Sequence, residues 1–350
     1  MDLSFGNFIS QLIENPVLIL ITILINIVIF LNGWSDIPNA LTTSITTRSL
    51  SPKAGLVLAG FSNFAGIFIM AFIGTNVAQT IYKITSFGND THYALLALCT
   101  ALIAIVIWCL IAWFIGIPTS QNHALVAGLT GASIAINNGI NGIDFAQWKK
   151  VLYGLFIATI AGFLLGFIIS RIIEIICKDI DRRKAIPFFK KSQVLGDAAM
   201  IFINGLQDSQ KFLALLVMGI FLANGTTQAE KFTIPLWMLF ICFIVMTIGT
   251  CIGGKRIIKS IGLKMTNVET YQGTAADIAS FLCLIFSTLS GIPASTNQTK
   301  TTALMGVSAS RRLSSVNWNI AKNIIITWVV TFPGCGILGY LFTEFLIKIF

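Results

Sequence analysis

The sequence predicts an all-α polytopic membrane protein built from two inverted-topology repeats, each of about five crossings, with broken helices and helical hairpins. Three observations carry that prediction. Of the 350 residues, 55% are hydrophobic and only 11% charged, at a mean hydropathy of +0.85; a soluble domain of this length needs more charge to cover its surface. Apolar runs approaching the ~20 residues needed to span a bilayer as helix recur along the whole chain. Two polar strings also occur twice, once in each half: GIPTSQNH (116–123) returns as GIPASTNQ (291–298), and NGWSDIPNA (32–40) returns as NGLQDSQKF (204–212). Duplicated, interrupted apolar segments mark a transporter whose substrate site lies between two repeats.

In chain order the apolar runs fall near 17–31, 54–78, 93–115, 122–136 and 151–177, then near 194–224, 232–253, 274–292, 297–310 and 319–349. Each is expected to be helical, because a backbone in lipid must satisfy its own hydrogen bonds. No Lys or Arg precedes Arg48, and the N-terminal stretch carries Asp2 and Glu14. The first run is therefore expected to stay as a transmembrane helix and not to be cleaved as a leader. Gly33 and Pro38 are expected to break the helix that follows. The long hydrophilic insertion CKDIDRRKAIPFFKKSQ (177–193) reads as a short cytoplasmic connector. It divides the chain into a first repeat (1–176), a linker (177–193) and a second repeat (194–350). The seven cysteines are scattered without a CxxC and read as small core hydrophobes.

The net charge of +9 reads as orientation, since cytoplasmic loops collect Lys and Arg. With the N-terminus outside and five crossings per half, 16 of the 23 basic residues fall inside, including Arg48, Lys53 and those of the linker. Lys149 and Lys150 fit this arrangement poorly. An odd number of crossings inverts the second repeat and puts both termini outside. Positive-inside bias accounts for the basic linker, so no nucleic-acid partner is expected.

The polar strings carry the chemistry. A carboxylate at the depth of Asp36 costs at least about 2.5–3.5 kcal/mol, so it should face a cavity or a partner. Asn39 follows three residues later, on the same side of a helical turn, and Asp208 and Gln210 repeat the pattern. In GIPTSQNH and GIPASTNQ, glycine ends one helix, proline begins the next, and polar residues fill its first turn. Such helix starts present unpaired N–H groups, the positive end of the dipole and side-chain donors, which suits an anion. Ser120, Gln121, Asn122, Ser295, Thr296 and Asn297 would supply those donors. Phosphate at neutral pH keeps one or two O–H groups that can donate to Asp36 and Asp208, whereas sulfate has none. The same two aspartates would equally suit a coupling cation. Lys211, one turn after Asp208, would pair with that aspartate or touch the anion, and Lys300, one turn after Ser295 and Thr296, has the same two roles open. His123 would relay a proton or be held structurally.

These strings resemble those of the inorganic phosphate transporter (PiT) family. The family's GANDxANA signature is similar to GWSDIPNA through Asp36, Asn39 and Ala40, with Ser35 replacing Asn. Its second form, HGxNDxQK, is similar to NGLQDSQK through Gly205, Asp208, Gln210 and Lys211. Its GLPVSTTH string resembles GIPTSQNH through Gly116, Pro118, Ser120 and His123, and GIPASTNQ through Gly291, Pro293, Ser295 and Thr296. The resemblance covers nearly the whole chain. It implies cation-coupled symport of inorganic phosphate by alternating access, with Asp36, Asn39, Ser120, Asp208 and Ser295 as first candidates for the anion. Sodium-coupled members carry a Glu in each half, where this chain has Asn63 and Asp277. The expected cation-binding residues are therefore Asp36, Asn63, Asp208 and Asp277, with sodium slightly favoured over a proton.

The resulting expectation is a secondary phosphate importer with no cofactor. Its partners are phosphate, sodium or a proton, and the bilayer, with a homodimer left open. A proton-coupled carrier of phosphate or metal-phosphate is the alternative. A passive anion channel is a rival of another class. With His92 and His123 as the only histidines and no catalytic spacing, an enzyme is not expected.

Overall fold

The computed structural model describes residues 3–115, 119–226, 232–262 and 268–349. Among these the chain forms thirteen α-helices: α1 (Phe5–Glu14), α2 (Pro16–Ala40), α3 (Thr42–Thr46), α4 (Pro52–Ile73), α5 (Asn76–Lys83), α6 (Thr91–Ile115), α7 (Gln121–Ile136), α8 (Phe145–Ile176), α9 (Arg182–Ala223), α10 (Leu236–Gly262), α11 (Thr270–Leu289), α12 (Thr296–Arg311) and α13 (Trp318–Ile349). Eight of them are long and apolar enough to cross a membrane: α2, α4, α6, α8, α9, α10, α11 and α13. α7 and α12 have 16 residues each, about 24 Å at the α-helical rise and short of a ~30 Å hydrocarbon core. Each folds back on the helix before it, giving the hairpins α6–α7 and α11–α12.

The helices pair across the two halves. α2 packs on α10 and α9 on α4; α7 packs on α13 and α12 on α8. Exchanging α2 with α9, α4 with α10, α7 with α12 and α8 with α13 converts each of these pairings into another of the four. Glycine makes the close approaches. A Cβ on Gly33 of α2 would strike the Met246 carbonyl of α10, and one on Gly66 of α4 would strike the Phe202 carbonyl of α9. In lipid no hydrophobic force drives helices together, so small residues at the contact supply the dispersion and close fit that hold them.

α9 is the hub. Its central stretch is almost wholly buried, even though it carries Asn204, Gln207, Asp208, Gln210 and Lys211. By contrast α8 exposes Phe156, Ile160, Leu164, Ile168, Ile172 and Ile175, and α10 exposes Leu236, Phe240, Ile244, Ile248 and Ile252. Those helical-period stripes are the surface that suits lipid tails.

Three sequence expectations change. α2 runs unbroken through Gly33 and Pro38 to Ala40, and α9 runs unbroken through its own polar string. Gly33 serves close packing, and Pro38, two residues before the C-terminal end of α2, leaves the Trp34 carbonyl without its helical N–H partner while ending the regular helix soon after. Most of the 177–193 connector is helix: α9 begins at Arg182, capped by the Asp181 carboxylate accepting from Arg183 N–H at 3.0 Å. Its Arg, Lys and Ala are good helix formers, which outweighs Pro187 near the start. In the second hairpin, Gly291 takes a left-handed φ of 68° after α11, but Pro293 lies in the lead-in and Ser295, not proline, opens α12. Gly116 and Pro118, which were to do the same in the first half, lie outside the described residues.

Candidate functional site

The starts of α7 and α12 meet tip to tip. Ser120 and Ser295 are their N-caps, both in extended conformation, and the Ser120 hydroxyl donates to Ser295 Oγ at 3.0 Å. The first-turn N–H groups of both helices lack a carbonyl partner within the helix; on α12 the Ser295 hydroxyl accepts one of them, the Gln298 N–H, at 3.4 Å. Two positive dipole ends therefore converge on one buried point.

Two carboxylates flank that point. Asp36 comes from α2 and Asp208 from α9, and Asn32 holds them together: its Nδ2 donates to Asp36 Oδ2 and to Asp208 Oδ2, each at 3.1 Å. Ser35 donates to Asp36 Oδ1 at 2.6 Å. Asn297, from the first turn of α12, donates to the same oxygen at 2.7 Å. Asn39 Nδ2 in turn donates to Asn297 Oδ1 at 2.7 Å. The tip of α12 is thus tied to the α2 motif by a short amide relay.

Lys211 completes the centre. Its ammonium donates to Asp208 Oδ1 at 2.7 Å, to the Ala294 carbonyl at 2.8 Å and to Gln207 Oε1 at 3.3 Å. The ion pair is the role the structure shows, and Ala294 brings it to the hairpin tip. Asn122 Nδ2 also donates to the Ala294 carbonyl, at 2.9 Å. The side chains of Asn122, His123, Lys211, Ser295 and Gln298 line a cavity of about 10 Å³ beside the tips, room for one water. Anything larger than a water fits here only when these side chains or tips move apart.

The structure brings together Asp36, Asn39, Ser120, Asn122, Asp208, Lys211, Ser295 and Asn297. Gln121 Oε1 and Thr296 Oγ1, in the first turns of the two helices, are buried without a hydrogen-bond partner. Unsatisfied buried polar atoms are rare and call for an explanation; here they lie beside the convergence point. Gln210 points elsewhere, and its Oε1 accepts from the N–H groups of Val77 and Ala78 at 3.0 and 3.3 Å, capping α5. Asn63 lies against Gly205 of α9, both of its side-chain polar atoms unpartnered. Asp277 is ion-paired to Lys300, the second lysine whose role the sequence left open. His123 is stacked on Phe332 at 5.0 Å.

Asn32 and Gln207 were missed by sequence reasoning. A signal for Asn32 existed: both copies of the longer string begin Asn-Gly, at Asn32 and Asn204, and both asparagines are buried.

Comparison with known proteins places this geometry. A model of the phosphate transporter family matches residues 32–187 and again 175–339, once over each half. The chain belongs to that family. It is 35% identical to a protein of Bacillus subtilis (strain 168) named probable low-affinity inorganic phosphate transporter, over 92% of this chain and 96% of that one. A protein of Rhizobium meliloti (strain 1021) with the same name is 31% identical over 89% of this chain and 91% of its own. Among solved structures, one titled "The sodium-dependent phosphate transporter" superposes with a TM-score of 0.84, covering 96% of this chain and 100% of that one at 22% identity. That likeness establishes the fold. Phosphate transporter family membership agrees with a helical membrane protein whose polar centre is buried between two sets of paired helices.

Proposed function

We propose that this chain is a secondary active importer of inorganic phosphate, coupled to a cation and working by alternating access between repeats 1–176 and 194–350. The observation that carries this is the meeting of Ser120 and Ser295 at 3.0 Å between the Asp36 and Asp208 carboxylates, which are tied by Asn32. The helix starts would hold the phosphate oxygens. The two carboxylates would accept from its O–H groups and so disfavour anions that have none.

Charge supports coupling. Asp36 and Asp208 against Lys211 leave one formal negative charge, and phosphate adds one or two more. Carrying that sum through a bilayer is costly unless cations travel with it. Sodium is the slight favourite over a proton: Asp36, Asp208, Asn63 and Asp277 offer hard oxygen atoms, and the superposed neighbour's title names sodium. In our reading both termini lie outside and the start of α9 lies in the cytoplasm. The closed centre favours a carrier over a passive channel.

Uptake of labelled phosphate into proteoliposomes tests this. Saturable uptake, driven by an inward sodium gradient, is expected. Uptake driven by protons and indifferent to sodium would reassign the ion, and linear uptake without a gradient would indicate a channel.

A further inference from the structure

Where α8 ends and α9 and α11 begin, the bundle opens into a cavity of about 490 Å³, a size within the range of small-molecule sites. It is remote from the anion tips: Lys190 on its wall stands about 27 Å along α9 from Asp208 at the α-helical rise. One wall is apolar, made by Ile173 and Cys177 at the end of α8, Ile180 beyond it, Ile186 and Phe189 of α9, and Val268. Ile172, Ile175 and Ile176 of the same turns of α8 are exposed, so this wall runs on into a face that suits lipid tails. The other wall is charged, with Glu174 of α8, Arg182 and Lys190 of α9, and Glu269 and Tyr271 at the start of α11.

Both carboxylates are already engaged. Glu174 accepts from the Tyr271 hydroxyl at 3.0 Å and from Arg171 at 3.4 Å. Glu269 pairs with Arg182 at 3.4 Å and with Arg311 at 3.0 Å. The Lys190 ammonium is half-buried and has no ion-pair or hydrogen-bond partner among the described residues. Arg171, Arg182, Lys190 and Arg311 thus stand against two carboxylates, an excess of two positive charges. The exposed chain beside them adds Lys178, Arg183 and Lys184 against Asp179 and Asp181, so the surrounding field is positive too. Such a field draws an anion. The anion that also covers the apolar wall is one with a hydrocarbon tail, because a soluble ion would leave that wall against water. Basic pockets between membrane helices suit phosphate-bearing lipid headgroups, and a guanidinium fork matches phosphate oxygens. The Arg182–Glu269 contact is long and exposed, so turning Arg182 to a phosphate sacrifices little.

We propose that this cavity binds one anionic phospholipid, its headgroup phosphate between Arg182 and Lys190 and an acyl chain along Ile173, Cys177, Ile180 and Ile186. Thr47, next after α3, also lines the cavity. Its hydroxyl donates to Gln193 Oε1 of α9 at 2.8 Å, and Ser49 donates to the same oxygen at 2.8 Å. The lipid therefore touches Thr47 and α8 from the first half and α9 and α11 from the second, and holds them together at this end of the bundle. That effect on transport rests on the alternating-access reading above; the lipid site itself does not.

The test is native mass spectrometry of the purified protein in detergent carrying equal amounts of phosphatidylglycerol and phosphatidylcholine. One phosphatidylglycerol per chain should be retained in preference to phosphatidylcholine. Arg182→Gln combined with Lys190→Gln should weaken that retention about thirtyfold. Arg183→Gln combined with Lys184→Gln, which removes the same charge outside the cavity, should leave it nearly unchanged. Ala185→Trp keeps every charge but fills the cavity and should also lower retention. No preference for phosphatidylglycerol, or an equal loss in the Arg183 and Lys184 variant, overturns the proposal. So does displacement of the lipid by glycerol phosphate at equal concentration, which would assign the site to a soluble anion. If the Arg182 and Lys190 variant does not fold, unchanged retention in Ala185→Trp overturns it alone. Retention is read without a gradient, so linear, ungated phosphate uptake would sink the carrier reading while leaving the bound lipid in place.

Discussion

Removing the two tip hydroxyls one at a time separates anion binding from helix capping. Ser295 Oγ accepts from Gln298 N–H of its own helix at 3.4 Å, whereas Ser120 makes no side-chain cap bond to α7. Each hydroxyl is also a donor that the phosphate reading assigns to an anionic oxygen. Losing one hydrogen bond to a charged group costs about 1.5–3 kcal/mol, roughly ten- to a hundredfold in affinity. Ser120→Ala should therefore weaken phosphate binding by that factor and lower ligand-free stability only by the one hydrogen bond to Ser295 that it removes, about 0.5–1.5 kcal/mol. Ser295→Ala should weaken binding similarly and also destabilise α12, by about 0.5–2 kcal/mol for a lost cap. The 3.4 Å length of the Gln298 bond places the cost at the low end. Phosphate titration by calorimetry and a thermal scan of each variant read the two effects independently. Unchanged affinity in both variants would refute the reasoning and reduce the hydroxyls to caps.

Other substitutions probe the centre and its supports. Asp36→Asn keeps the size but replaces the acceptor shared by Ser35 and Asn297, so phosphate uptake should fall severely in protein that still inserts; near-normal uptake would remove Asp36 from the site. Lys211→Met leaves the buried Asp208 without its 2.7 Å ion pair and should cost about 3–5 kcal/mol, seen as a lower thermal midpoint. Combining it with Asp208→Asn should recover much of that stability, as coupled neighbours do, but not uptake. Gly66→Val pushes a side chain into the Phe202 carbonyl and should destabilise by at least the ~1–3 kcal/mol of an overpacked contact; an unchanged midpoint would mean that α4 and α9 do not need their close approach.

Much of this was legible in the sequence because its signals are local. The apolar runs gave the long helices, and GIPASTNQ announced a helix start at the residues that meet Ser120. The repeat of the aspartate strings pointed to two carboxylates at one place, and Asn32 holds them there. What was not legible depends on tertiary neighbours. Gly33 and Pro38 read as a break, yet α2 passes through them, because a backbone in lipid has no water to turn to and Met246 needs the space a side chain would take. Gln210 read as a binding residue because of its place in the string; only the fold shows α5 beside it, with two N–H groups to be capped. The stretch 177–193 read as a short connector from its charge and proline, whereas its helix formers and the Asp181 cap make most of it the start of α9.

The most direct test of the central claim is an experimental structure of the protein with phosphate bound. The account predicts phosphate between the starts of α7 and α12, within hydrogen-bond distance of Ser120 and Ser295 and flanked by Asp36 and Asp208, with Lys211 or the tips displaced to make room. Phosphate bound elsewhere, with the Ser120–Ser295 contact and the Asn32 bridge undisturbed, would contradict it.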